Sequence, residues 1–261
     1  MLRYVLSVYF ALWFGLLCGC DMQQYPDFGE PEKPQLLIYS GMTMLPAVTE
    51  VAALFEEQND CEVKITFGSS GHIYTSVQAN QIGDIFFPGS VGYIEQLQGV
   101  GVVTDSVEVG YNQAAIFVAK GNPLQITADL SLLLSDSINV VIANPTAGAI
   151  GREIKKILDA QGIYDQVAVQ AQYLTTGFAG LIQAIESHDA DLVINWRAAE
   201  FSPEHQSTME MISLPEEVAA KQRLVMGALK YSRHPELVQS FLAVACSKQG
   251  QAIFAKYGMA D

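Results

Sequence analysis

The residues best suited to chemistry are the small polar ones of Gly68-Ser69-Ser70-Gly71. They lie between Val63-Lys64-Ile65-Thr66-Phe67, which alternates as a strand does, and a helical run from His72 to Asn80. A strand that hands small polar residues to a helix start builds a pocket for a negative group. The first N–H groups of the helix have no internal acceptor, and the positive end of its dipole faces the same point. A plain serine N-cap gives the same local pattern, so this stretch alone leaves both readings open. Ser70, His72 and Asp84 are close in sequence, but His72 stands where a nucleophile elbow needs glycine. Residues two apart on a helix also do not face each other. The expectation is a binding protein and not an enzyme, with His72 facing solvent or capping the helix.

The elements that position such a turn begin after a leader. Met1-Leu2-Arg3 carries one positive charge, Tyr4 to Leu17 is apolar apart from Ser7, and Leu17-Cys18-Gly19-Cys20 closes the run. This is a signal-peptide pattern, too short for a membrane span of about 20 residues. Residues 21–34 (DMQQYPDFGEPEKP) offer little to bury and read as a tether. A net charge of −14 argues against nucleic acid. It does not exclude an anionic ligand, since backbone N–H groups bind anions without net positive charge nearby. Cys61 and Cys246 either pair or stay as buried thiols, and no Cys-x-x-Cys or His-rich cluster suggests a metal.

Two α/β units follow. Leu36-Leu37-Ile38-Tyr39 is a buried strand, and Leu45 to Gln58 has one apolar helical face with Pro46 in its first turn. The strand and turn already described come next, then a strand over Gly83-Asp84-Ile85-Phe86-Phe87. In a parallel sheet of this kind ligands bind at the carboxyl ends of strands, here 41–43, 68–70 and 88–90. The pattern restarts with strands at 114–119 and 139–143, and a helix over 150–161 stopped by Gly162. An extended stretch at 167–173, a helix at 178–187 and a strand at 191–196 complete the second unit. After an irregular segment at 197–206, strands are predicted at 209–214 and 222–230. Two closing helices, 235–248 and 251–257, are split by Gly250.

This layout resembles a type II periplasmic solute-binding protein, most similar to the molybdate-binding receptors of ATP-binding cassette importers. Leu37 to Met44 takes the place of the family's opening strand and serine turn, and Phe67-Gly68-Ser69-Ser70 that of its second serine cluster. Gly83-Asp84-Ile85-Phe86, Asn144-Pro145 with Gly151 and Gly162-Ile163-Tyr164, and Ala190-Asp191-Leu192-Val193-Ile194 match further family segments. So do Phe241 and residues 250–258 (GQAIFAKYG). Leu17-Cys18-Gly19-Cys20 is similar to a lipobox, which implies lipid on Cys20, and Asp21 resembles an inner-membrane retention signal.

The resemblance implies a two-lobed α/β fold, each lobe a mixed or parallel sheet flanked by helices. Residues 1–19 would be the signal and 20–34 the lipid-anchored tether. Residues 35–111 with 215–261 would form lobe one, and 112–214 lobe two, with the ligand in the cleft between. It implies no catalytic residue and no cofactor beyond a bound oxyanion, molybdate or tungstate. It also implies a permease partner, a monomer, and a site on the periplasmic side of the cytoplasmic membrane. The implied ligand contacts are Thr43, Ser70, Gly89, Gly148 and Trp196, with Met42, Ser69, Ala149 and Arg197 as additional contacts. Trp196 replaces a tyrosine, and Arg197 stands where the family has a small polar residue. A different reading therefore has Arg152 or Arg197 gripping an organic carboxylate or a phosphonate, or Arg197 simply paired with Glu200.

Overall fold

The computed structural model describes residues 33–202 and 204–260. The signal, tether and Cys20 lie outside the described residues, and no helix among those described is long and apolar enough to cross a membrane.

Five strands form the first sheet: β1 (Gln35–Gly41), β2 (Glu62–Gly68), β3 (Ile85–Phe87), β4 (Val103–Asn112) and β10 (Gln222–Leu229), in the order β2-β1-β3-β10-β4. β1 pairs parallel with β2 and β3, while β10 runs antiparallel to β3 and β4. The period-two alternation of strand side chains sorts their apolar residues onto two faces. Leu36, Ile38, Ile85, Phe87, Leu224 and Met226 pack on one face against α1 (Leu45–Glu56), α7 (Pro235–Cys246) and α8 (Lys248–Lys256). Tyr39, Phe86, Val225 and Leu229 pack on the other against α2 (Ser70–Asn80) and α3 (Val91–Gly99).

The second half has strands β5 (Ala114–Ala119), β6 (Ile142–Ala143), β7 (Leu174–Thr175), β8 (Leu192–Trp196) and β9 (Met209–Ser213). β5 lies between β8 and β9, antiparallel to both. β6 pairs parallel with β7, and a bridge from Val140 to Leu192 links this pair to β8. Helices α4 (Ala149–Ala160), α5 (Tyr164–Gln170) and α6 (Phe178–Glu186) cover it with one continuous apolar core. The chain crosses between the halves at 112–114 and again at 213–222.

Several elements differ from the sequence expectation. Residues 167–173, expected extended, are largely α5. Its N–H groups bond four residues back, Val167 to Ile163 at 3.0 Å and Ala171 to Val167 at 2.8 Å. Val-Ala-Val alternates, but only Val167 is fully buried, so the helical spacing of 163, 167 and 171 wins. The closing helices break at Ser247, not Gly250. Ser247 Oγ accepts from the Gly250 amide at 3.1 Å, a serine N-cap. Gly250 sits inside α8 because a Cβ there would collide with the carbonyls of Val244 and Ala245. Residues 91–112 carry α3 and the long β4, for which the sequence expectation has no element. The irregular 197–206 segment opens with a 3-10 turn, Arg197–Phe201. Cys61 and Cys246 are free thiols, Cys61 buried and Cys246 exposed.

Candidate functional site

Strand ends of both halves meet in one cavity of about 90 Å³, lined by residues 41–44, 68–70, 89, 148–150, 176–180 and 196. Each parallel strand of the first sheet delivers its carboxyl end there: β1 through Gly41, β2 through Gly68, β3 through the turn to Gly89. From the second half come the turn after β6, the turn after β7, and the end of β8 at Trp196.

Four helix starts therefore point into the space: the 3-10 turn Met42–Met44 that leads into α1, then α2, α4 and α6. Each brings first-turn N–H groups with no helical acceptor and a positive dipole end. The lining includes no Asp, Glu, Lys, Arg or His. The polar side chains are hydroxyls and one indole, from Thr43, Ser69, Ser70, Thr176 and Trp196. Ser70, Thr43 and Trp196 are all buried.

The two serines divide the two readings of their motif between them. Ser69 is the N-cap of α2, its Oγ accepting from the His72 amide at 3.4 Å. Ser70 is the cavity hydroxyl, and its Oγ accepts from the Gly89 amide at 2.9 Å. This alters the expectation for Gly89. Its N–H is committed to Ser70, so Gly89 lines the cavity and orients a hydroxyl where a free donor was expected. Asp84 is likewise committed, accepting from the Leu37 amide at 2.7 Å and from the Ser232 hydroxyl. It ties β1 to the end of β10, and His72 is exposed. Ser70, His72 and Asp84 thus form no relay.

Gly148 is the N-cap of α4 in an extended conformation, so its role is space, not a special dihedral. A Cβ there would lie 3.3 Å from Ser69 Cβ, and one on Gly71 would lie 3.1 Å from the Ala147 carbonyl oxygen. The walls of the cavity touch at these two glycines. Gly177, by contrast, has φ +148, which a side chain would strain.

Of the residues named from sequence, Thr43, Ser70, Gly89, Gly148, Trp196, Met42, Ser69 and Ala149 all line the cavity. Arg197 does not. It lines a separate space of about 120 Å³ with Gln113 and Ser213, where the chain leaves β8 for the 3-10 turn Arg197–Phe201 and the Arg197 amide donates to the Gln113 carbonyl. Arg197 also forms no ion pair with Glu200, and Glu200 Oε2 is buried without a hydrogen-bond partner. Sequence reading missed residues 176–180. The signal was present: Thr175-Thr176-Gly177 lies between an extended stretch and a helix, the same arrangement as at 68–71.

Two further contacts join the halves beside the cavity. The Arg152 guanidinium of α4 lies 4.0 Å from the ring centroid of Tyr93 on α3. Burial pushes the Tyr93 phenol pKa up, with Arg152 opposing. Glu153, buried on the same helix, accepts from Gln222 Nε2 at 3.3 Å and lies 3.5 Å from Lys156 Nζ. Burial pushes its carboxyl pKa up, and Lys156 opposes the rise. Among the described residues no group of three His, Cys, Asp or Glu stands together as a metal site.

A family model described as bacterial extracellular solute-binding protein matches residues 36–260. A putative binding protein from Haemophilus influenzae is 21% identical over 223 residues, covering 85% of this chain and 89% of its own. A molybdate-binding protein ModA from Mycobacterium tuberculosis is 21% identical over 227 residues, covering 86% and 84%. Among solved structures, the Azotobacter vinelandii periplasmic molybdate-binding protein is similar with a TM-score of 0.75 and 17% identity, covering 87% of this chain and 99% of its own. The sulfate-binding protein SubI from Mycobacterium tuberculosis gives 0.77 and 15%, covering 86% of each chain. A periplasmic thiamin binding protein gives 0.74 and 17%, covering 89% and 86%. These structural likenesses are of fold.

Proposed function

The chain belongs to the bacterial extracellular solute-binding proteins, and from that premise we propose that it captures a small tetrahedral oxyanion, molybdate or tungstate, for a membrane permease. The observation that carries this reading is the convergence of four helix starts on a cavity with no ionisable side chain. A dianion buried there must have every oxygen paired, since an unpaired buried charge is costly. N–H groups and hydroxyls from two halves surround it and supply pairing without a counter-charge.

The donor set also favours an anion that carries no proton. Backbone N–H groups and an indole N–H can only donate, so a proton on the ligand would meet another donor. The cavity of about 90 Å³ holds roughly three waters' share of the liquid. That suits a compact ion, where drug-sized sites run to 300–1,000 Å³. The similar proteins named for molybdate and sulfate support the same class. Thr43, Ser70 and Trp196 would contact the anion by side chain, and the starts of α2, α4 and α6 by backbone.

In this reading the halves close over the ligand as two lobes, residues 35–111 with 215–261 against 112–214, and the permease recognises the closed form. The protein binds without turnover and acts as a monomer. Cys20 carries the lipid that holds it at the periplasmic face of the cytoplasmic membrane. The test is calorimetry of ligand-stripped protein with molybdate, tungstate and sulfate, alongside elemental mass spectrometry of protein purified without denaturation. Molybdate and tungstate are expected to bind more tightly than sulfate. Absence of heat with all three overturns the oxyanion reading, and equal binding of all three overturns its specific form.

A further inference from the structure

We infer that the Arg197 cavity is a second anion site, separate from the cleft, that takes a small monovalent anion of halide or short-carboxylate size. Its walls are Gln113 and Ala114 on the outward crossing and Ser213 and Leu214 on the return, so it sits in the hinge. Arg197 is held there from its backbone, the amide donating to the Gln113 carbonyl at 2.8 Å.

Its side chain is positioned but not neutralised. The guanidinium lies 5.9 Å from the Tyr111 ring centroid and 5.8 Å from that of Phe201. Its Nε is buried with no hydrogen-bond partner, and among the described residues no carboxylate comes within ion-pairing distance. This is unusual for the composition, since 28 acids face 14 lysines and arginines. A partly buried cation is held by a paired anion or by fixed hydrogen bonds, and the aromatic contacts supply only a part of that. Ser213 lines the same space and its hydroxyl can add a donor, while the Gln113 side-chain amide donates one hydrogen to the Ala219 carbonyl at 2.7 Å. Arg197 and Ser213 line the same space of about 120 Å³, and a guanidinium with a neighbouring hydroxyl is the chemistry that takes a small anion.

Bromide is the probe. Crystals of wild-type protein soaked in sodium bromide are expected to show an anomalous peak beside the Arg197 guanidinium. In solution, bromide in place of gluconate at equal ionic strength is expected to raise the melting temperature by about 2–4 °C, and Arg197→Met to remove that rise. Absence of a peak at Arg197 overturns the inference, as does an equal bromide effect in the variant. The crystallographic arm stands on wild-type protein, so it holds even where the variant fails to fold. It is also independent of whether molybdate binds the cleft.

Discussion

The Gly89 amide donates to Ser70 Oγ across 2.9 Å, tying the turn after β3 to the first residue of α2. The bond holds the serine side chain in the cavity wall. It uses the oxygen as acceptor and leaves the hydroxyl hydrogen available to a ligand. Ser70→Ala is therefore expected to weaken molybdate binding by about 10- to 100-fold, the worth of a hydrogen bond to a charged group. It also strands a buried N–H at Gly89, so the melting temperature of the ligand-free protein should fall too. Calorimetry with thermal melts checks both, and unchanged affinity would remove Ser70 from the binding set.

Trp196 is buried at the end of β8 in the cavity wall. The chain has two tryptophans, and the other is Trp13 in the leader. In protein that begins at Cys20, intrinsic tryptophan fluorescence reports on the cavity alone. Molybdate should change its intensity or wavelength. Trp196→Phe keeps an aromatic side chain, though a smaller one, and removes the indole donor, and a loss of affinity of about 5- to 10-fold is expected. A Phe variant that binds as wild type would make the residue a wall and nothing more.

How much of this was legible beforehand depends on what kind of signal each residue sends. Thr43, Ser70, Gly148 and Trp196 stand at strand-to-helix turns, and the period changes there are visible in the string. Ser69 and Ser70 were legible as a pair, but their division of labour was not. That division depends on which hydroxyl the β3 turn approaches, a contact between residues 19 apart. Arg197 follows Trp196 in sequence yet lines a different space, since the chain turns into a 3-10 segment directly after β8, a turn with no signal in the string. The α5 helix was hidden because its buried face is a single turn wide, too little periodicity to outvote a valine pair.

Arg152 on α4 and Tyr93 on α3 meet between the two halves, at 4.0 Å from guanidinium carbon to ring centroid. A cation over an aromatic ring contributes about 0.5–2 kcal/mol, and here it favours the arrangement in which the two halves touch. Arg152→Ala should raise the dissociation constant for molybdate by about 2- to 30-fold. Most of the change should fall in the off-rate, since the residue does not line the cavity. Stopped-flow fluorescence separates the two rates. An unchanged off-rate would show the contact to be indifferent to closure.

Gly71 tests closure from the other side. A Cβ at this position would lie 3.1 Å from the Ala147 carbonyl oxygen and 3.3 Å from Tyr93 Oη. Gly71→Val should hold the walls apart and weaken molybdate binding by about tenfold or more, with the radius of gyration in solution scattering larger than that of wild type. Equal radii and equal affinity would mean the wall yields without opening.

Glu153 gives the protein a pH dependence of definite sign. Burial raises its folded pKa above that of the unfolded chain, so between the two values the folded state holds the extra proton. Stability then falls as pH rises through that window, by at most about 1.4 kcal/mol for each pH unit crossed. Above the folded pKa the whole penalty is present. Glu153→Gln should flatten this part of the profile and raise stability at neutral pH, measured by urea unfolding from pH 4 to 8. A variant with the wild-type slope would assign the dependence elsewhere.

The place of β10 in the first sheet has a consequence for the order of events as the chain is made. β10 lies between β3 and β4, yet residues 222–229 follow β4 by more than a hundred positions. When the first 112 residues have emerged, β3 and β4 have no strand to join them. The whole second half must be synthesised before the missing strand arrives. A nascent chain therefore leaves β3 and β4 without their shared neighbour until residue 222 has emerged, the sort of surface that draws in another chain. Its last forty residues, which supply β10, α7 and α8, act as the closing piece of the part that was made first.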